Sequence, residues 1–266
     1  MSDGICGTAL REAQLLQAGA GDRKKGALVL AQAELAEAEK RHAPTSPQLA
    51  RPLLAVAAAL HDLDCHEEAD GLEDRAIALM RQWPVDEALA SELYNLGLGR
   101  LWRKRPSSAV DLLAWAAPVA RQLPAKPWFL DGLLKALGDA HRDLGQWDQA
   151  RAAFEEALSA ARSRPQPAGW IGGALILRGL ASVAIGRGDL PAAESLLREA
   201  LAEESKAQGE GYWEVAEVLD ELAQVLRSRG DVEGALMLEG QALEILAKYQ
   251  GPRFEQLAQA LRARRR

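Results

Sequence analysis

The fold is decided by the stretch Gly145-Gln-Trp-Asp-Gln-Ala150-Arg-Ala-Ala-Phe154-Glu-Glu-Ala157-Leu158, which returns twice in altered form. A glycine, an alanine, a large residue and a second alanine keep the same order at residues 188–201 and 230–243. The first alanines of the three stretches are Ala150, Ala193 and Ala235, so the interval between them is nearly constant. An interval of about 42 residues is typical of a solenoid, in which similar units stack one on the next.

Weaker copies extend the repeat toward the N-terminus. They begin at Ala109, Ala69 and Ala27, which continue nearly the same interval back from Ala150. We therefore expect one continuous solenoid domain over residues 1–266. It is predicted to contain six repeats, at about 7–43, 47–83, 85–124, 127–164, 168–208 and 210–250, and a capping helix at 252–266.

A second periodic segment precedes each copy. In the fourth repeat it carries Leu134, Leu137 and His141, whose spacing of three and four residues forms one stripe of a helix. Each repeat is thus predicted to be two antiparallel helices, A and B, joined by a tight turn. Glycine at this turn supplies the left-handed residue that ends helix A. Asp189 and Asp231 are the expected N-caps of helix B.

Two further features of the sequence, its recurring small residues and Pro118, bear on the predicted all-α solenoid. Glycine and alanine recur where helices A and B must touch, because a small side chain lets two backbones approach closely. An alanine-rich helical bundle is the alternative, but a bundle does not need the repeated phasing. Pro118 lies inside helix B of the third repeat and is predicted to kink or shorten it.

These residues resemble the tetratricopeptide repeat, whose unit has Leu-Gly or Leu-Ala on helix A and two alanines around a large apolar residue on helix B. Repeats four and five match well, repeat six carries Glu239 at the large apolar position, and repeats one to three depart more. The interval exceeds that family's usual length of about 34 residues and is similar to the lengthened form found in kinesin light chains. The segment 222–230, followed by Ala235 and Ala242, carries most of this likeness. The resemblance implies a right-handed superhelix of paired helices that binds other proteins and has no catalytic role.

The bulk composition agrees with a protein of this kind. Hydrophobic residues make up 48% of the 266 positions and aromatic residues only 5%, so a core of alanine and leucine is expected. No segment reaches the roughly 18 apolar residues of a membrane span. The first residues lack a secretory signal, so a cytoplasmic location is expected. The net charge of −6 argues against general nucleic-acid binding, and the basic run Arg262–Arg266 is interpreted as a solvated tail.

The resemblance also implies where a partner binds, because helix A lines the concave face in that family. When Leu-Gly is placed at the seventh and eighth positions of helix A, the inward positions can be read from the sequence. The candidate partner-binding residues are Tyr94, Asn95, Leu98, Trp102, Lys135, Asp139, Arg142, Arg178 and Ser182. Further inward positions are Leu101, Ile185, Asp220, Glu221, Gln224 and Arg227.

The candidate residues combine an aromatic patch, Tyr94 and Trp102, with the cations Lys135, Arg142 and Arg178. Such a surface suits a partner protein or peptide with an apolar or aromatic anchor next to acidic residues. The alternative is that the two aromatic side chains pack between neighbouring helices and that the cations are solvated.

Residues suited to chemistry are sparse. His61, Cys65 and His66 form a local cluster, but structural zinc usually takes four ligands and no second Cys/His pair completes the set. We expect no catalytic residue, no metal and no cofactor. The predicted function is a non-enzymatic adaptor for protein–protein interaction. A self-assembling scaffold subunit is the first alternative, and a small metal-binding or enzymatic protein using this cluster is the second.

Overall fold

The computed structural model describes residues 23–123, 127–163 and 172–265, and no strand occurs in these ranges. By contacts the chain divides into two compact units, Met1–Val85 and Asp86–Arg266. A short 3-10 turn, Pro47–Leu49, precedes the second helix. The helices are α1 (Arg23–Arg41), α2 (Ala50–Asp62), α3 (His66–Met80), α4 (Glu87–Trp102), α5 (Pro106–Gln122), α6 (Leu130–Asp143), α7 (Trp147–Arg162), α8 (Gly172–Gly186), α9 (Leu190–Gln208), α10 (Trp213–Ser228), α11 (Val232–Leu246) and α12 (Pro252–Arg264).

The helices follow the predicted alternation of A and B. Helix α1 takes the place of helix B in repeat one, and the partner expected before it lies outside the described residues. The A/B pairs of repeats two to six are α2/α3, α4/α5, α6/α7, α8/α9 and α10/α11, and α12 follows as the cap. Within each compact unit, every helix packs against the next one along the chain. The prediction of an all-α solenoid is confirmed.

Each A/B turn from repeat two to repeat six contains one residue in the left-handed region. Glycine occupies it in the last three repeats, at Gly145, Gly188 and Gly230, with φ of 70°, 78° and 89°. Asp64 and Lys104 adopt it in repeats two and three, with φ of 60° and 58°. The turn geometry is therefore common to all five repeats, although two of them lack the residue that adopts it without strain.

The expected caps of helix B are also present. The Asp189 carboxylate accepts a hydrogen bond from the Ala192 backbone N–H at 3.1 Å, and Asp231 accepts one from Gly234 at 2.8 Å. A side-chain acceptor at this position satisfies one of the backbone donors that a helix start leaves unpaired. Both predicted N-caps are thus confirmed.

The free energy of unfolding of the Gly188→Ala variant is expected to be lower by about 1 kcal/mol, because alanine is strained at positive φ. No atom lies within 4 Å of a Cβ added there, so the backbone alone causes the loss. Gly71→Ala is the matched control, since Gly71 lies inside α3 with equally open space around it. There alanine should stabilise by roughly 0.5–1 kcal/mol. Urea unfolding of both variants checks the prediction, and equal changes in the two would contradict it.

Small residues allow the helices of the C-terminal unit to approach closely. Phe154 on α7 is fully buried against Gly138 of α6 and Gly179 of α8. A Cβ at either glycine would come within 2.8 Å of the phenyl ring, closer than carbon atoms pack. The side chain of Phe154 therefore joins repeat four to repeat five, and it needs glycine on both facing helices.

Pro118 does not shorten its helix. Of the two predicted effects, a kink or a shorter helix, the shortening was wrong, because helix α5 continues through Pro118 to Gln122. Proline removes one N–H donor, but the buried Val119 and Ala120 hold the following turn against the core. Burial of this last turn outweighs the cost of one lost hydrogen bond.

The large apolar position of helix B holds a buried carboxylate in two repeats. Leu113, Phe154 and Leu197 fill it in repeats three to five, whereas Glu73 and Glu239 occupy it in repeats two and six. Each of these glutamates contacts a basic side chain from helix A of the same repeat, a histidine in repeat two and an arginine in repeat six. A nitrogen of Arg227 donates to both oxygens of Glu239, at 2.9 and 3.0 Å, and His61 Nε2 is 2.8 Å from Glu73 Oε1.

Helix α12 occupies the place of a further helix A. Its buried Ala258 and Leu261 follow Ala216 and Leu219 of α10 by one repeat length each. Arg264 and Arg265 donate to Asp220 and to the Leu236 carbonyl. These two arginines therefore contact repeat six, so the interpretation as a solvated tail is corrected for Arg264 and Arg265, whereas Arg262 is exposed.

Deleting residues 252–266 should lower the melting temperature and promote association, because the deletion exposes the apolar edge of repeat six. It also removes the cation that faces the buried carboxylate of Asp220. Light scattering and thermal unfolding of the shortened chain measure both effects. A shortened protein that stays monomeric and equally heat-stable would argue against the capping role.

Candidate partner-binding groove

A groove of about 400 Å³ lies along the A helices of repeats four to six. Five of the nine predicted binding residues line it: Lys135, Asp139, Arg142, Arg178 and Ser182. Its remaining lining comes from Leu175, Gly179, Ala181, Ile185, Leu197 and Glu221. We call this lined space the groove. The helical period of α6 and α8 brings these residues onto one face, as the repeat pattern predicted.

The cations of the groove are paired with carboxylates. Lys135 and Arg142 both bind Asp139, each at 2.7 Å, within helix α6. Arg178 on α8 reaches α10, where its Nε and Nη2 donate to Glu221 at distances down to 2.6 Å. These side chains are part-buried, so the alternative that the cations are simply solvated does not describe them.

Arg178 is the most strongly held of these cations. Burial disfavours its charged form, but its bonds to Glu221 and Glu217 outweigh burial and raise its pKa. The partners lie 43 and 39 residues further along the chain, close to one repeat length. Sequence reasoning missed Glu217, yet pairing opposite charges one repeat apart would have found it. Arg162 with Glu203 and Arg187 with Asp148 follow the same rule.

The four predicted residues on α4 are not among those that line the groove. Tyr94 is half-buried and stacks on Phe129 with ring centroids 5.8 Å apart. Burial, followed by the negative charge of Asp131, raises the pKa of its phenol. Asn95 is exposed and Leu98 is partly buried, whereas Trp102 is 82% exposed. Of the two aromatic residues predicted for the patch, Tyr94 thus packs against a neighbouring helix and Trp102 projects into solvent.

A group of carboxylates next to the groove was not foreseen from the sequence. Glu204, near the end of α9, is fully buried, and neither of its oxygens has a hydrogen-bond partner among the described residues. Burial raises its pKa to about 7, with a further contribution from the charge of Glu214. Burial, and then the charge of Glu217, raises the pKa of Glu214 as well. Acidic side chains on the surfaces of helices are common, so no signal in the sequence distinguishes Glu204.

A second groove of similar volume lies on another surface of repeats four and five. It is lined by Arg151, Glu155, Leu180, Val183, Ala184, Arg187, Asp189, Ala192, Ser195 and Leu196. Its charged residues also pair with neighbours, Arg151 with Glu155 and Arg187 with Asp148. This surface is the natural control for any test of the first groove.

The cluster His61, Cys65 and His66 does not converge on one point. His61 Nε2 faces Glu73, its Nδ1 lies 3.1 Å from His66 Nδ1, and the Cys65 thiol donates to the Leu63 carbonyl at 3.6 Å. His61, Asp70 and Glu73 bring ligand atoms within 4.8 Å of one another, which a divalent metal could use. However, His61 and Glu73 occupy the positions of Arg227 and Glu239, where a cation neutralises a buried carboxylate. A structural role therefore accounts for their geometry.

None of the described helices combines the length and apolar character needed to cross a bilayer. Models of the tetratricopeptide repeat match residues 132–163 and 172–248. No curated protein sequence matches the chain.

Several solved structures share the fold at low sequence identity. BtubC (BKLC) from P. vanneervenii is 18% identical, with a TM-score of 0.54 over 91% of this chain and 84% of that one. A putative kinesin light chain with nearly identical TPR-like repeats from Podosopora anserina is 19% identical, with a TM-score of 0.63 over 77% of this chain and 99% of that one. Aspartyl phosphate phosphatase F from Bacillus subtilis is 13% identical, with a TM-score of 0.65 over 90% and 68%.

The matched repeats include the two best-formed copies of the sequence pattern, and the same helix pair and turn continue in the described repeats that precede them. Residues 132–163 and 172–248 are therefore tetratricopeptide repeats, and the fold of the chain is similar to that of the TPR-like repeats of the putative kinesin light chain.

Proposed function

We propose that this protein is a non-enzymatic adaptor that binds a segment of a partner protein in the groove. The groove carries this proposal because it combines an open volume of about 400 Å³ with apolar and charged residues from three successive A helices. Repeats of this family generally serve protein–protein interaction. A partner segment running across the helices would meet residues from each repeat in turn.

The lining favours a partner with an apolar anchor and acidic groups. Leu175 and Ile185 offer apolar contact, and Ile185 is 45% exposed. A partner carboxylate can bind Arg142 or Lys135 by exchanging with Asp139, since each of these pairs is open to solvent on one side. Such an exchange of ion pairs changes the binding energy little, so the apolar anchor supplies most of the affinity and the charges supply selectivity. Trp102 on α4, the A helix of the preceding repeat, extends the proposed contact.

Ser182→Trp is expected to abolish binding of the native partner, because an indole fills the middle of the groove. Ser182 carries no charge, so the substitution leaves the ion pairs of the groove intact. Ser195→Trp on helix α9 is the matched control, since Ser195 lines the second groove in the same repeat. Pull-down from extract of the native cell, followed by titration with the captured partner, measures both variants. Loss of binding in Ser195→Trp alone would move the binding face to the second groove.

Trp102→Ala provides an independent test of the same surface. Truncation of an exposed aromatic anchor typically costs ~2 kcal/mol of binding or more, which is roughly a 30-fold loss of affinity at the least. The substitution removes an 82% exposed side chain, so the fold should tolerate it. Unchanged affinity in Trp102→Ala would restrict the contact to repeats four to six.

A further inference from the structure

Glu204 differs from every other acidic side chain in the described ranges, because both of its carboxyl oxygens are enclosed without a hydrogen bond. It lies near the end of α9. The charged groups that act on it are Arg178 from α8 and Glu214 and Glu217 from α10. Arg253 of α12 acts on the same group of carboxylates, because it binds Glu217 at 2.6 Å.

Arg178 connects this buried carboxyl group to the groove. Its Nε and Nη2 donate to Glu221 and Glu217, whereas its Nη1 makes no hydrogen bond with any described residue. Arg178 and Glu221 both line the groove. Among the residues that the structure describes, Arg178 is also the one cation whose charge acts on Glu204. Ionisation of Glu204 therefore changes the electrostatic environment of Arg178, which lines the groove.

We propose that the protonation state of Glu204 regulates binding in the groove, because loss of its proton draws the Arg178 side chain away from Glu221. A neutral carboxyl group tolerates enclosure, whereas an ionised one without a donor is strongly disfavoured. The guanidinium of Arg178 has donors to offer and carries the opposite charge. The charges of Glu214 and Glu217 repel the ionised form.

The direction of this regulation follows from these charges. Burial and the repulsion from Glu214 place the pKa of Glu204 at about 7, so its proton exchanges near neutral pH. Below that pH Arg178 stays on Glu221. Above it, Arg178 turns toward Glu204 and leaves the Glu221 carboxylate open in the groove. This regulation of binding rests on the proposed function. The affinity of the groove for an acidic partner segment is expected to fall as the pH rises through 7.

The test is a pH titration of the full chain by nuclear magnetic resonance. In the native protein, the Glu204 side-chain carboxyl carbon and the Arg178 Nε–H signal should shift together with one midpoint near pH 7. The Arg178 transition should vanish in Glu204→Gln, which is neutral at every pH and nearly the same shape. It should persist in Glu203→Gln, the adjacent residue, whose carboxylate binds Arg162 at the surface.

Two results would overturn this proposal: a titration midpoint of Glu204 below pH 5.5, or an Arg178 transition that persists in Glu204→Gln. The first result needs only the native protein, so the proposal stays testable if the variant misfolds. The titration requires no partner. A coupled transition of Glu204 and Arg178 therefore supports the proposed regulation independently of any partner. If the Ser182→Trp variant still binds its partner, that result contradicts only the proposed function.

Discussion

The Arg227→Ala variant is expected to lose about 3 kcal/mol of stability, because removing the arginine leaves the fully buried Glu239 carboxylate without its cation. Breaking a buried pair from one side costs about 3–5 kcal/mol, and the lower end applies because Arg227 is 31% exposed. Urea unfolding at pH 7 measures the loss.

Repeat five supplies the control for this substitution. Ile185 and Leu197 occupy the positions of Arg227 and Glu239, one repeat earlier in each case. The double variant Arg227→Ile/Glu239→Leu copies that apolar pair into repeat six. Replacing a buried ion pair by packed apolar residues is often neutral or stabilising by about 1–4 kcal/mol. A double variant as unstable as Arg227→Ala would show that the pair does not act as a unit.

Glu204→Gln is expected to stabilise the protein at pH 8 by up to about 3 kcal/mol, and to have little effect at pH 4. The folded-state pKa of Glu204 is raised from 4.5 to about 7, so the folded chain binds the proton more tightly than the unfolded chain. The stability that the native protein derives from this proton is complete below pH 4.5 and is lost as the pH rises through 7. Each pKa unit corresponds to about 1.4 kcal/mol, and glutamine avoids the loss.

Thermal unfolding at the two pH values measures this effect. For a unit of this size, about 3 kcal/mol corresponds to a rise of roughly 6–12 °C in melting temperature at pH 8. Glu203→Gln should show no such gain, because Glu203 lies at the surface beside Arg162. An equal shift of Glu204→Gln at both pH values would mean that burial of the charge is not the cause.

The elements of this fold could be predicted from the sequence because they depend on local spacing. Gly188 and Gly230 predicted the left-handed turns, and Asp189 and Asp231 predicted the caps, since each feature involves residues within one turn of helix. The same spacing found five residues of the groove, because residues one helical turn apart share a face. The expected shortening of α5 at Pro118 was wrong, because burial of the last turn of α5 decides the helix end.

The sequence by itself determined that this protein stacks helix pairs at a nearly constant repeat length, and which face of the A helices α6 and α8 lines the groove. Only the tertiary structure decided which charges meet. Arg178 binds carboxylates one repeat away, and Glu204 is enclosed among residues of three helices. Helical periodicity gives the direction of a side chain around its own axis, whereas pairing and burial depend on the stagger between neighbouring helices. That stagger is set by contacts such as Phe154 against Gly138 and Gly179, which no single segment contains.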